Sequence, residues 1–285
     1  MKTALSIAVA APWCWQRMLR PERMIHVAET GSGRPLIFLH GWSSHGDYFG
    51  PQVEALARDY RLLMPDLPGH RRSPAAPEAL SIPALAADLH KLIMARGLEK
   101  PVLIGWSMGA MVALDYIAQF GSDRLGGLVI EDMTVKITNE SGWRFGIRNG
   151  FDAAQSTAAV AAMREDWVGY SQNAMPRLFA RSYTPAAELG DWISAEIALN
   201  DGHAMAALWQ SMAAQDYRAL LPTLALPVLI LHGGESQLYE PAVSQWMAAN
   251  IPGAHRCCFD NAGHSPHLEV PEAYNRALVD FVTSL

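Results

Sequence analysis

Cysteine is scarce in this chain: Cys14 and the adjacent pair Cys257 and Cys258 are the only three in 285 residues. That excludes a disulfide framework, and the spacing contains no C-x-x-C metal or redox motif. Reduced, buried thiols in a cytoplasmic protein are the expectation. An excess of positive charge is also missing, because 22 Lys and Arg against 28 Asp and Glu leave a net charge of -6. A nucleic-acid binder would carry a basic face, so no nucleic-acid partner is expected. No apolar run is long enough to span a bilayer, which argues against stable membrane association. Internal repeats, low-complexity tracts and long Gly/Ser linkers are absent too. What the chain does have is 50% hydrophobic residues. At this length that supports one large core without staples.

Lys2 followed by Thr3 to Ala11 imitates a signal peptide, with Ala8-Val9-Ala10 as a cleavage site. The run is short, however, and Pro12 interrupts it. The favoured expectation is an N-terminal extension over residues 1–23, with Met18 or Met24 opening the folded chain just before a first strand, Met24 to Ala28.

From there short β-rich runs alternate with helical patterns, the signature of an α/β fold with a mostly parallel central sheet and helices on both faces. Pro35 to His40 and Arg61 to Pro65 read as buried strands. Ser81 to Arg96 reads as a helix, with Ser81 and Pro83 as start signals. Pro101 to Ile104 and Leu125 to Ile130 are further strands, the second ending in Glu131-Asp132. Ligands in open α/β sheets bind at the carboxyl ends of strands, so acids placed there draw attention. Residues 134–216, rich in Ala, Trp and Arg, break the alternation and read as a helical cap, or lid, over a core made of 24–133 and 217–285. The core pattern resumes with a strand at Pro227 to His232, a helix at Pro241 to Ala249, a strand near Arg256 to Phe259 and a closing helix from Pro271 to Ser284.

Gly105-Trp106-Ser107-Met108-Gly109 lies between a strand and a helix. A turn this sharp forces its central residue into strained angles, and a side chain at either flanking position would collide with a neighbouring element. Ser107 would then present its hydroxyl at the top of the sheet, at the positive end of the following helix. A Ser in a Gly-flanked turn is more often a turn residue, but the strand before and the helix after favour a nucleophile.

Gly31-Ser32-Gly33, His40-Gly41, Asp66-x-x-Gly69, the turn at Ser107 and Gly263-His264 occur in that order. In this they resemble the α/β-hydrolase superfamily from Met24 to Leu285. The Trp residues of His40-Gly41-Trp42 and Gly105-Trp106-Ser107, with the helical cap, are similar to the carboxylesterases of the biotin pathway that demethylate pimeloyl-carrier-protein methyl ester. The resemblance implies a serine hydrolase that cleaves a small-molecule acyl ester through an acyl-enzyme, with no metal or cofactor. Lactone or carbon-carbon bond hydrolysis on the same scaffold is the first alternative, and a non-catalytic ligand-binding relative is the second.

A serine hydroxyl needs an adjacent base, and the base needs a third group to hold its tautomer. His264 occupies the position of the family's catalytic His, and His267 is a weaker candidate. The acid is harder to place, because counting back from Pro241 puts Gln237 where the family usually has Asp. Asp132 is favoured, as in the superfamily branches that carry the acid after the preceding strand, and Glu235 is the alternative. The amides of Trp42 and Met108 match the family's oxyanion hole, and the side chains of Trp42 and Trp106 would border the acyl pocket. In Asp66-Leu67-Pro68-Gly69-His70-Arg71-Arg72-Ser73 the family's usual glycine after the His is replaced by Arg71. This segment reads as a turn stabilised by Asp66, with its arginines solvated or paired.

The cap carries Arg144, Arg148, Arg164, Arg177 and Arg181 among aromatic residues. Two readings compete. One is a solvated helical face whose charge is diluted by Glu140, Asp152, Glu165 and Asp166; the other is a docking surface for an acidic acyl carrier protein.

Overall fold

The computed structural model describes residues 25–285. The signal-peptide-like stretch, Cys14, and the starts at Met18 and Met24 lie outside the described residues. Seven strands form one sheet: β1 (Val27–Thr30), β2 (Pro35–Leu39), β3 (Arg61–Pro65), β4 (Val102–Trp106), β5 (Gly127–Glu131), β6 (Val228–Gly233) and β7 (His255–Phe259). Their spatial order is β1-β3-β2-β4-β5-β6-β7, and only β1 runs antiparallel, pairing Val27 with Pro65 and Thr30 with Leu62. The first strand is Val27–Thr30 rather than Met24 to Ala28, set by its antiparallel pairing with Leu62–Pro65 of β3.

The helices of the core are α1 (Gly50–Leu56), α2 (Ile82–Ala95) and α3 (Met108–Phe120). Between β5 and β6 stand α4 (Ala153–Glu165), α5 (Trp167–Ala174), α6 (Ala187–Ala198) and α7 (Gly202–Ala213). After β6 come α8 (Pro241–Asn250), the short α9 (Pro266–Glu269) and α10 (Pro271–Thr283). No helix among the described residues is long and apolar enough to cross a membrane.

Strands β4, β5 and β6 are buried along their whole length. That requires both faces of the sheet to be covered, and explains why these strands read as continuous apolar runs without alternation. Helix α3 packs on β2, β4 and β5, with α2 against it, while α1 packs against α10. The edge strand β7 is half exposed, so Cys257 and Cys258 are free thiols only partly buried there, not the buried ones the composition suggested. Burial pushes both thiols up.

Local signals set the helix starts. Ser81 accepts a hydrogen bond from the Ala84 amide at 3.2 Å and caps α2, an interaction worth about 1 kcal/mol. Asp152 and Gln155 form a reciprocal capping box on α4, and Asp166 and Asp201 cap α5 and α7. Asp152 and Asp166, two of the acids expected to offset the arginines of residues 134–216, therefore have a structural use.

The chain crosses from β3 over β2 to reach β4, so β2 has β3 on one side and β4 on the other. The carboxyl ends of β2 and β4 flank this switch point, where the sheet opens a crevice.

Candidate active site

Ser107 follows β4 directly, at φ 52° and ψ -121°. Such a backbone costs a non-glycine residue on the order of 1–3 kcal/mol and must be held by its surroundings. The Ser107 amide donates to the Glu131 carbonyl at 2.9 Å. A Cβ on Gly105 would lie 2.5 Å from the Ala110 backbone of α3, and one on Gly109 would lie 2.0 Å from the Leu39 carbonyl oxygen of β2. Those two collisions are the physical reason for glycine on both sides of the serine.

Asp132 directly follows β5, at φ 37°, and its carboxylate is buried. Its Oδ2 lies 2.6 Å from His264 Nδ1 and accepts from the Ser236 hydroxyl at 2.7 Å. Its Oδ1 lies 2.8 Å from His232 Nδ1 and accepts from the Gly233 amide at 3.4 Å. Burial alone would raise this carboxyl, but the hydrogen bonds from His232 and His264 override it and hold the group well below the usual carboxylate range.

His264 sits in the loop between β7 and α9. Its carbonyl accepts from the Trp106 indole N–H at 2.7 Å. Glu269 Oε1 accepts from the amides on either side, Gly263 at 2.8 Å and Ser265 at 3.2 Å. A Cβ on Gly263 would lie 2.2 Å from the Ala180 amide nitrogen, so glycine is required before the histidine because the helical segment between β5 and β6 passes over it.

Ser107 and His264 line one cavity. Its walls include Met133, Ile137, Ile197, Met212 and Leu238, and Arg177 is the one Lys or Arg among the lining residues. Trp42 also lines it, its indole N–H donating to the Met205 carbonyl of α7 at 2.9 Å, and its ring meets those of Trp167 and Trp209 edge-on. Trp106 borders the cavity but is only 1% exposed; most of its surface is packed against Tyr48, His264 and His267.

The other candidates are drawn elsewhere. Glu235 Oε2 accepts from the Ser182 hydroxyl at 2.6 Å and from its amide at 3.2 Å. The Gln237 amide donates to the carbonyls of Pro176 at 3.0 Å and Phe179 at 2.9 Å. The segment that usually supplies the acid therefore clamps residues 176–182 instead. His267 is buried behind the site, with Nδ1 2.7 Å from Glu131 Oε1, while Glu131 Oε2 accepts from the Tyr274 hydroxyl at 2.9 Å.

The amides of Trp42 and Met108 have no hydrogen-bond partner among the described residues. Met108 is the first residue of α3, where helix geometry leaves the amide unsatisfied. The Trp42 loop is fixed by two buried histidines. His40 Nδ1 lies 2.8 Å from the Gly41 carbonyl and its Nε2 accepts from the Leu67 amide at 2.8 Å. His70 Nδ1 lies 3.1 Å from the Leu67 carbonyl and its Nε2 accepts from the Ser43 amide at 3.3 Å. Each ring is therefore the neutral Nδ1–H tautomer, and a second proton would face an N–H donor. Burial pushes His40 down to about 4 and His70 down to about 3.

Both groups have a folded-state pKa below the ordinary 6.5. The unfolded chain therefore binds more protons, and stability falls as the pH drops from about 6.5 toward about 4. For His40 alone the loss is on the order of 3 kcal/mol. The urea midpoint is expected to decrease steadily through that window, and a midpoint constant from pH 7 to pH 4 would contradict the assignment.

Asp66 accepts from the Gly46 amide at 3.0 Å and from Arg72 Nε at 2.6 Å. Burial would raise the carboxyl, but the Arg72 bond outweighs it and holds Asp66 at about 2. Arg71 adopts φ 33°, the left-handed region that suits a glycine there, and its guanidinium reaches Asp47 at 3.3 Å and Glu196 of α6 at 3.1 Å. Both arginines are paired, and Arg71 ties the core to the helical insertion.

A model described as the alpha/beta hydrolase family matches residues 36–277. The chain belongs to the alpha/beta hydrolase family. It is 30% identical over 267 residues to a pimeloyl-[acyl-carrier protein] methyl ester esterase of Xanthomonas oryzae pv. oryzae, covering 92% of this chain and 100% of the relative. The enzyme of the same name from Nitrosomonas europaea is 27% identical, with 88% of this chain and 96% of the relative covered. Among solved structures, a thermophilic esterase from Thermogutta terrifontis superposes with a TM-score of 0.82 at 27% identity, over 91% of this chain and 93% of that one.

The position of Asp132 was readable from the sequence. The sequence carries no signal for His232, Ser236 or Glu269. His232 is the penultimate residue of β6, a strand with no alternation to show which way its side chain points, and Glu269 closes α9, a helix of a single turn.

Proposed function

We propose that this alpha/beta hydrolase is a carboxylic ester hydrolase working through an acyl-enzyme on Ser107. The observation that carries the reading is the line Asp132–His264 at 2.6 Å, with His264 opening on the same cavity as Ser107. In this mechanism His264 Nε2 takes the Ser107 proton as Oγ attacks the ester carbonyl. The amides of Trp42 and Met108, both without a partner among the described residues, receive the developing oxyanion. His264 then gives its proton to the departing alkoxide. A water deprotonated by His264 cleaves the acyl-enzyme, releases the acid and returns the proton to Ser107. Asp132 keeps the Nδ1–H tautomer of His264 and stabilises the imidazolium. The names of the Xanthomonas, Nitrosomonas and Thermogutta relatives support ester hydrolysis. The Asp132–His264 contact weighs against a silent receptor, because a pocket that only binds has no use for a buried carboxylate on its histidine. A series of p-nitrophenyl acyl esters tests the chemistry; failure to hydrolyse any of them, with turnover of lactones or β-diketones instead, would overturn it.

The substrate reading is an acyl ester carried on an acidic carrier protein. The relatives' names support it, as do four exposed arginines among residues 134–216: Arg144, Arg164, Arg177 and Arg181. Arg148 does not belong with them, since it is half-buried and paired with Glu240 at 2.9 Å. Arg177 combines exposure with a place on the cavity wall, where an arriving prosthetic arm would pass. Arg177→Glu combined with Arg181→Glu is expected to raise KM for a carrier-linked methyl ester on the order of tenfold. The effect should shrink with added salt and be much smaller for p-nitrophenyl acetate. Equal effects on the two substrates would remove the carrier from the reading.

A further inference from the structure

The carboxylate of Asp132 faces two imidazoles, one on each oxygen: His264 on Oδ2 at 2.6 Å and His232 on Oδ1 at 2.8 Å. The ester-hydrolase mechanism uses only the first. The two rings differ in their far nitrogens. His264 lines the cavity together with Ser107, so its Nε2 can exchange protons with a substrate. His232 Nε2 is buried with no hydrogen-bond partner among the described residues. A proton there would be an unpaired buried donor, at a cost on the order of 1–3 kcal/mol. The N–H of His232 therefore belongs on Nδ1, donated to Oδ1 of Asp132.

The acid needs this help. Asp132 is at φ 37° immediately after β5, and a carboxylate bonded through one oxygen can turn about its Cβ–Cγ bond. The remaining titratable groups nearby do not restrain it. Tyr239, whose ring centroid is 5.8 Å from that of His264, donates its hydroxyl to Met133 sulfur at 3.1 Å. Glu269 is engaged by the backbone amides of Ala180, Gly263 and Ser265. Glu131 is taken by His267 and Tyr274. Ser236 donates to the same oxygen as His264 and also accepts from the amides of Leu238 and Tyr239, so it supports the loop as much as the acid. The Gly233 amide reaches Oδ1 only at 3.4 Å. His232 is left as the one close donor on the oxygen that His264 does not use.

We propose that His232 is a positioning residue of this site, pinning Oδ1 of Asp132 so that Oδ2 stays aimed at His264 Nδ1. The proposal rests on the reading of Asp132 as the acid behind His264. It gives the histidine at the end of β6 a role in catalysis without contact with substrate.

The test compares His232→Leu, His232→Asn and His232→Gln with the wild-type enzyme on a p-nitrophenyl ester, across pH. Leu removes the donor, Asn places an amide N–H near the position of Nδ1, and Gln places one near Nε2. His232→Leu is expected to lower kcat on the order of 10- to 100-fold, with KM little changed. The acid limb of kcat/KM should also move to higher pH, because a carboxylate stripped of one donor holds the His264 proton more tightly. Asn should restore most of the rate and return the limb, while Gln should not. If Leu does not fold, the Asn and Gln variants still separate the cases. Equal rates and equal limbs for those two, or an unchanged limb and kcat in folded His232→Leu, would overturn the role. Failure of the underlying reading looks different: a wild-type esterase activity that survives Ser107→Ala removes the mechanism itself, whatever the His232 variants do.

Discussion

Ser107→Ala is expected to lower kcat on p-nitrophenyl esters by about 10^6-fold, the scale at which a serine hydrolase loses its nucleophile. The size follows from where the acceleration comes from. Without Oγ there is no acyl-enzyme, and the remaining catalysis is what binding and the Trp42 and Met108 amides provide to direct attack by water, on the order of 10^3- to 10^4-fold over solution. Binding itself should survive. The cavity walls are set by Met133, Ile137, Ile197 and Leu238, and alanine at position 107 meets the same φ of 52° that serine already tolerates. A non-hydrolysable ester analogue should bind with near-native affinity, and a fluorophosphonate that labels the wild type should leave the variant unlabelled. Residual turnover at a tenth of the wild-type rate would show that the serine is not the nucleophile.

Asp132→Asn should cost about 10^4-fold in kcat, since an amide in place of the acid favours the wrong imidazole tautomer. In the wild type the carboxylate accepts from His264 Nδ1, which leaves Nε2 free to take the serine proton. The asparagine N–H2 cannot accept. If it faces His264 it donates to Nδ1, so the proton moves to Nε2 and the base is blocked. If the amide turns over, its N–H2 points at His232 Nδ1, another donor in the present arrangement. Either orientation leaves one histidine mismatched. KM should change little, because Asp132 is buried beneath the cavity and does not line it. Glu235→Gln should stay within a few-fold of wild type, as that carboxylate is bound to Ser182. The opposite ranking of the two variants would reassign the acid to Glu235.

How much of this could be read in advance depended on distance along the chain. The turn around Ser107 was legible because its requirements are local: a strand, two glycines with no room for a Cβ, and a helix, all within about twenty residues. The N-cap at Ser81 was legible for the same reason. Asp132 was legible as a position at the end of a strand, but the choice between it and Glu235 depended on which loop approaches His264 in space, and spacing alone does not report that. Helix α1 leaves no sequence signal, its seven residues being too short for a periodic pattern. The helices of residues 134–216 were visible only as a class, since alanine-rich α4 shows little contrast between its faces. Glu269 and His232 act through backbone amides and a second oxygen, contacts that leave no residue pattern.

Gln237 stands at the place where the family usually keeps its acid, yet it holds the carbonyls of Pro176 and Phe179, and Glu235 beside it holds Ser182. Between them these two residues grip the stretch that carries Arg177 and Leu178 into the cavity wall. In the proposed mechanism the charge behind His264 comes from Asp132, after β5, and positions 235 and 237 serve the cavity wall instead. Under the proposed mechanism, substitutions at those positions would reshape the cavity wall at Arg177 and Leu178 and leave the Asp132–His264 pair in place.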